Sequence, residues 1–285
     1  MEEKKFDLKS IIGFVLIFIL LLWVMNNNRP TQEELAKRKA AQEQAAAAKN
    51  PQNNTATAAT ADLGAFAYGN AQATAKDGVT VIENKDVKLT INNKGGDLKE
   101  VLLKQFKTYE SMPVYLIKDK NAIFALNFKT TQGQELNTQQ LYFEPSLSQK
   151  DGKQLLSMKV KTGENSYLEY VYTLPAEGYM VDVAVRSQGL SGVLNSQNPI
   201  ELVWGLKARR MEKSVTYENR YTQSAIRYAD DKINRMSQGG NSGTKEEQVS
   251  WVAYKQHLFT SVLISDSAFA NGDFLSYNIA NEESK

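Results

Sequence analysis

The chain has 285 residues, no cysteine, a single histidine (His257), and Lys+Arg at 34 against Asp+Glu at 32, a formal net charge of +2. Without cysteine there is no disulfide framework, zinc ribbon, iron–sulfur site or thiol nucleophile, and any metal site would depend on oxygen ligands. The near balance of charge gives no whole-chain excess of cations of the kind that grips nucleic acid.

Residues 1–9 form a short charged N-terminal segment. From Ile11 to Met25 the sequence is IIGFVLIFILLLWVM, and uncharged residues extend from Ser10 to Asn28. At about 1.5 Å per residue, 10–28 is long enough to cross a hydrocarbon core of about 30 Å. Ile11, Phe14 and Leu20 lie within this expected span, Trp23 suits an interfacial position, and Met25 closes the run. The run shows no polar face, which argues against a buried core helix. The following Asn26-Asn27-Asn28-Arg29-Pro30 offers no small-x-small cleavage site, which favours an uncleaved signal anchor over a cleaved signal peptide. Lys4, Lys5 and Lys9 precede the span, whereas Arg29, Lys37, Arg38 and Lys39 follow it, so charge alone does not fix its orientation.

Thr31-Gln32-Glu33-Glu34 is a capping-box pattern that opens a run of strong helix formers. Glu33–Lys37 and Glu34–Arg38 fall at i,i+4, and almost nothing apolar larger than alanine is present. Residues 29–50 therefore read as a solvated helical stalk, stopped at Asn50-Pro51. Residues 51–78 are rich in Ala, Thr and Asn and read as a low-complexity linker with no core.

From Val79 the period changes to two. Val87, Leu89 and Ile91 alternate with Lys88, Thr90 and Asn92; Asn93-Lys94-Gly95-Gly96-Asp97 is a turn; and Leu98 to Phe106 returns as the partner strand. Leu156, Met158 and Val160 define one face of a later strand, Ser166 to Leu174 another strand, and Tyr179, Val181, Val183 and Val185 a further alternating run. Turns at short intervals without helical crossovers predict an all-β, antiparallel sandwich over 79–285. Met211 to about Ser237 breaks the alternation and reads as a short helix or long loop. Gln238 to Lys245 reads as a mobile Gly/Ser/Asn-rich segment. Strand character resumes in Trp251-Val252-Ala253-Tyr254 and from Leu258 to Ile264.

Chemical motifs are sparse. There is no P-loop, dinucleotide fingerprint, HExxH or EF-hand loop. His257, between two strand-like runs, reads as a packed or surface histidine rather than a catalytic one. Lys207, Arg209, Arg210 and Lys213 could meet phosphate headgroups or an acidic partner, but read first as a solvated strand end partly paired to Glu212. Asp182 and Glu169 lie on separate strands with nothing to make them converge. The residues predict no catalytic, metal or cofactor site.

Three stretches go further. The charged opening with FDLKSIIGFVLIFILLLWVMNNN resembles the first transmembrane segment of YidC-type membrane protein insertases, especially those of Bacteroidetes. IENKDVKLTINNKGGDLKEVLLKQFKTY, with Gly95, Gly96 and Asp97 at its turn, resembles the opening hairpin of that family's large periplasmic domain. SWVAYKQHLFTSVLIS, carrying Trp251, Val252 and Ala253, is similar to a segment late in the same domain. The resemblance implies a galactose-mutarotase-like β-supersandwich in the periplasm behind a span in the bacterial inner membrane, with residues 1–9 as a cytoplasmic N-terminus. It implies no enzyme and no cofactor. The function it implies is insertion and folding of inner-membrane client proteins in the lipid bilayer, alone or with the Sec translocon and its accessory subunits. That family's insertion groove is built from helices C-terminal to the periplasmic domain. The chain therefore reads as an N-terminal fragment without them, and an unpaired sheet edge is expected where the domain's last strands would follow. A membrane-tethered carbohydrate-binding or epimerase-like sandwich is the alternative.

Overall fold

A computed structural model of the chain describes residues 62–72, 76–236 and 242–277. The expected span over 10–28, with Ile11, Phe14, Leu20, Trp23 and Met25, and the stalk over 29–50 lie outside the described residues. Among the described residues no helix is long and apolar enough to cross a membrane.

The body is almost entirely antiparallel strand. A first sheet runs β1 (Val79–Glu83), β2 (Val87–Asn92), β3 (Leu98–Lys107) and β4 (Pro113–Ile117) in chain order. A second contains β7 (Glu144–Lys150), β8 (Lys153–Lys161), β9 (Tyr167–Leu174) and β10 (Asp182–Gln188), in the order β10-β9-β8-β7. Between them in sequence lie β5 (Ala122–Lys129) and β6 (Glu135–Asn137), which β11 (Glu201–Leu206) joins to give the order β11-β5-β6. A fourth sheet, β13-β12-β14-β15, is built from β12 (Gln223–Tyr228), β13 (Ile233–Arg235), β14 (Ser242–Lys255) and β15 (Thr260–Ser276).

The expected alternations account for the main core. Val87, Leu89 and Ile91 of β2 are buried, and so are Leu156, Met158 and Val160 of β8. Register places Leu156 opposite Tyr172, Met158 opposite Tyr170 and Val160 opposite Leu168, so β8 and β9 turn one continuous apolar face inward. Leu126 and Phe128 of β5 enter the same core. A separate, smaller cluster on the fourth sheet holds Ile226, Met236, Val249 and Val252, with Tyr254 stacked on Trp204 of β11 at 4.4 Å.

The structure departs from the expectations at four places. Residues 64–70, expected to belong to a linker without a core, form a 3-10 turn (Gly64–Phe66) and α1 (Ala67–Asn70), and Phe66 is fully buried 5.3 Å from Phe128. Leu63 packs against the same core, and the Asn70 side chain accepts from the Tyr142 N–H at 2.9 Å and donates to the Gln140 carbonyl at 3.2 Å. The segment from Met211 holds α2 (Val215–Asn219) and also β12 and β13, whose short length and dense charge hide their alternation. Ser242 to Lys245 are strand, paired with Asp273 to Ser276. The alternation of Val183 and Val185 does mark a strand, but β10 is a sheet edge and both side chains remain exposed.

Candidate functional site

The Gly95-Gly96-Asp97 turn sits inside the body. Gly95 and Gly96 have φ of +91° and +68°, a region that favours glycine. A Cβ on Gly96 would stand 3.0 Å from the Tyr170 ring and 3.2 Å from that of Phe143. The Tyr172 hydroxyl donates to the Gly96 carbonyl at 2.6 Å. The Asp97 carboxylate accepts from Asn92 Nδ2 at 2.8 Å, and its pKa is raised because burial disfavours the charged form. The turn thus closes the β2–β3 hairpin against the tyrosines of β9.

Trp251, Val252 and Ala253 lie elsewhere, on β14. Val252 is buried in the smaller cluster, and Trp251 stands opposite Ile264 of β15. At this point β15 bulges. Val249 pairs with Phe269 while Trp251 pairs with Ile264, so Ser265 to Ala268 loop out opposite Ser250. The structure does not bring the two motif segments together; each lies in its own sheet.

A third constellation was not foreseen. Glu218 of α2 is buried, accepts from the Met211 backbone N–H at 3.2 Å and receives Gln256 Nε2 at 3.1 Å; burial raises its pKa. Gln256 Nε2 also reaches the Arg209 carbonyl at 2.6 Å. His257 Nδ1 lies 2.6 Å from Glu212 Oε1, Tyr221 stacks on the imidazole at 4.3 Å, and Tyr217 meets it edge-on. Glu212 therefore pairs with His257 rather than with the basic cluster. Arg209 instead pairs with Asp119 at 2.9 Å, and Arg210 caps the Glu212 and Lys213 carbonyls. No sequence signal links Glu212 to His257, which are joined only by the fold. Sandwiched between aromatics, the pair clamps the β14–β15 turn to the α2 segment.

No group of three His, Asp or Glu side chains among the described residues could hold a metal ion. Two concavities among them are shallow and open, one beside Gly69 and Lys161, the other beside Asp77 and Lys99.

The model of the YidC periplasmic domain matches residues 79–282, almost the whole of the β body. The chain belongs to the YidC periplasmic domain family. Among similar proteins, the membrane protein insertase YidC of Porphyromonas gingivalis is 33% identical over 193 residues, 67% of this chain and 30% of that protein. That of Parabacteroides distasonis is 33% identical over 205 residues, covering 71% and 32% of the two chains. That of Bacteroides fragilis is 31% identical over 196 residues, covering 68% and 31%. The chain thus spans about a third of the length of the curated relatives it matches.

Proposed function

We propose that this YidC periplasmic domain serves a membrane protein insertase that assists insertion and folding of inner-membrane proteins, alone or with the Sec translocon. The observation that carries the reading is the family match over 79–282, following in sequence an uncharged run at 10–28. In this arrangement the N-terminus is cytoplasmic, 10–28 anchors the chain, and the β body lies in the periplasm. The work is physical rather than covalent: it lowers the cost of moving polar segments through hydrocarbon. Gly95, Gly96 and Asp97, and Trp251, Val252 and Ala253, act as structural elements of the domain. The names of the relatives do not favour the carbohydrate-binding alternative.

Two experiments on the full chain test this. A membrane-impermeant thiol reagent applied to spheroplasts should label Glu164→Cys and not Glu3→Cys; the reverse pattern overturns the topology. A photo-crosslinking amino acid at exposed positions of the β body should capture ribosome-bound nascent inner-membrane proteins or translocon subunits. Adducts no more frequent than from an unrelated anchored periplasmic protein would overturn the insertase role.

A further inference from the structure

Three turns meet at one end of the sandwich. The Phe106 ring, at the end of β3, lies 5.4 Å from Phe259 in the β14–β15 turn and 6.3 Å from Tyr179 in the β9–β10 turn. In the β3–β4 turn, the Tyr109 N–H donates to the Met211 carbonyl at 3.1 Å, and its ring lies beneath the Arg210 guanidinium. These contacts make the end one continuous surface.

That surface is unusually apolar for turn tips. Leu258 is 67% exposed, Met180 61% and Met112 59%, and Phe106, Tyr109 and Tyr179 are also open. Isolated exposed apolar side chains are ordinary, whereas an adjoining set of this kind marks a contact surface. Lys107, Arg210 and Lys213 are exposed around it. The exposed carboxylates nearby are Glu177 in the β9–β10 turn, Asp182 at the start of β10 and Glu110, which accepts from the Tyr109 hydroxyl at 2.9 Å, while the half-buried Asp86 accepts from the Gly178 N–H at 2.6 Å.

The shape narrows the choice of occupant. Leu258, Met180 and Met112 sit in turns between strands and are each more than half exposed, so these side chains project from tips rather than line a groove. Peptide partners dock in grooves or along strand edges. Projecting Tyr, Phe, Met and Leu with cations around them suit the lipid–water interface, where amphipathic rings sit at headgroup depth and Lys or Arg meets anionic lipid. Reach is sufficient: residues 29–61 separate the uncharged run from the body, and the helical stalk expected over 29–50 would by itself span roughly 30 Å at about 1.5 Å per residue.

We propose that this end of the β body lies on the headgroup layer of a bilayer containing anionic lipid, with Leu258, Met180 and Met112 as its insertion points. The inference rests on the membrane attachment proposed above and adds an orientation for the body. The chain enters the body near the other end, where Gly69 packs on the Lys161 backbone beside the β8–β9 turn. A body hung upright from that entry would turn Glu164 toward the lipid instead.

The cysteine-free sequence makes the test direct. Single cysteines replace Leu258, Met180, Met112, Glu164 or Leu20 in the full chain. Each is labelled with an environment-sensitive fluorophore and reconstituted in phosphatidylethanolamine vesicles with a minority of phosphatidylglycerol and nitroxide lipids. Probes at 258, 180 and 112 should blue-shift and be quenched several-fold more than the probe at 164. Adding Met180→Glu to the Leu258→Cys chain, or omitting phosphatidylglycerol, should reduce that quenching. Equal quenching at all surface positions, or stronger quenching at 164, overturns the proposal. So does protection that appears only with a translated client, or only at high protein density, which would assign the patch to a protein partner or a second copy. The probe at 20 reports attachment separately: deep quenching there with none at 258 refutes docking and leaves the anchor standing. If the probe at 20 is not quenched, the anchor fails; docking is then read by adding vesicles to the free chain, where absence of quenching at 258 refutes it.

Discussion

The first two sheets and the fourth sheet bury their apolar faces to different extents. β9 is covered on both faces: Tyr170 and Tyr172 are buried in the main core, while Glu169 and Val171 on its other face are also nearly inaccessible. The fourth sheet has a core on one face only, built on Ile226, Val249 and Val252. Its opposite face carries Trp251 and, across from it, the 51% exposed Ile264. Stability from apolar burial scales with the area removed from water, so the two regions should not open together. The main sandwich should set the global unfolding free energy, and the fourth sheet should open beneath it.

The sharpest way to break this comparison is to cut a cavity in each region. Leu156→Ala, at a fully buried site facing Tyr172, should cost about 3 kcal/mol of global stability in urea unfolding. Gly96→Ala should follow at about 2 kcal/mol, because it strains a residue at φ +68° and drives a methyl against Tyr170 and Phe143. Val252→Ala should cost about 1.5 kcal/mol. Its signature is faster amide exchange in β12, β14 and β15 with β8 and β9 unchanged. If Val252→Ala accelerates exchange in β8 as much as in β14, the two regions are one cooperative unit.

How much of this was legible in the sequence follows from the same contrast. The strands β2 and β8 each show one face to the core, so their alternation could be read directly from Val87-Leu89-Ile91 and Leu156-Met158-Val160. Covered on both faces, β9 loses that alternation and is recognised only by tyrosine and β-branched content. In β10 the pattern predicts the strand but not its exposure. Val183 and Val185 stand in register with Tyr172 and Tyr170, yet they belong to an edge strand that nothing among the described residues covers. β12 and β13 escaped because Arg227, Asp230, Asp231 and Lys232 crowd a hairpin only a few residues long. The Glu212–His257 contact and the aromatic end around Phe106 are products of tertiary placement alone. The motif triplets were visible, but only the fold shows that Gly95-Gly96-Asp97 and Trp251-Val252-Ala253 serve different sheets.

A pH series sharpens the comparison further. Burial raises the pKa of Asp97 above its ordinary 3.8, an effect that the Asn92 side chain and other donors offset only in part. A carboxyl group that holds its proton more tightly when folded contributes stability that is fully present below the unfolded pKa. That contribution is lost as pH rises through the folded pKa. Asp97→Asn keeps an acceptor for Asn92 and cannot ionise. Its urea midpoint should therefore decline less than that of the parent as pH rises from about 4. Glu218 is shifted in the same direction and stays in the variant, so some slope should remain. Parallel curves for the two proteins would mean that Asp97 titrates alike in the folded and unfolded chains.

The smallest expected effect lies at the centre of the main core. The Tyr170 hydroxyl is buried with no hydrogen-bond partner among the described residues. Burial raises its pKa strongly; the Thr138 hydroxyl is near enough to offset this slightly, and it accepts from the Leu126 N–H. A buried hydroxyl without a partner loses its hydration and gains nothing in return, whereas the ring around it stacks on Phe143 at 5.0 Å. Tyr170→Phe keeps that ring and removes only the oxygen. Its stability should equal the parent's or exceed it by up to about 1 kcal/mol, with exchange in the fourth sheet unchanged. Tyr172→Phe is the matched control, since its hydroxyl holds the Gly96 carbonyl at 2.6 Å and its loss should cost about 1 kcal/mol. A loss for Tyr170→Phe as large as that for Tyr172→Phe would show that the Tyr170 hydroxyl is satisfied in solution, most simply by a water held between Thr138 and the Gly95–Asp97 turn.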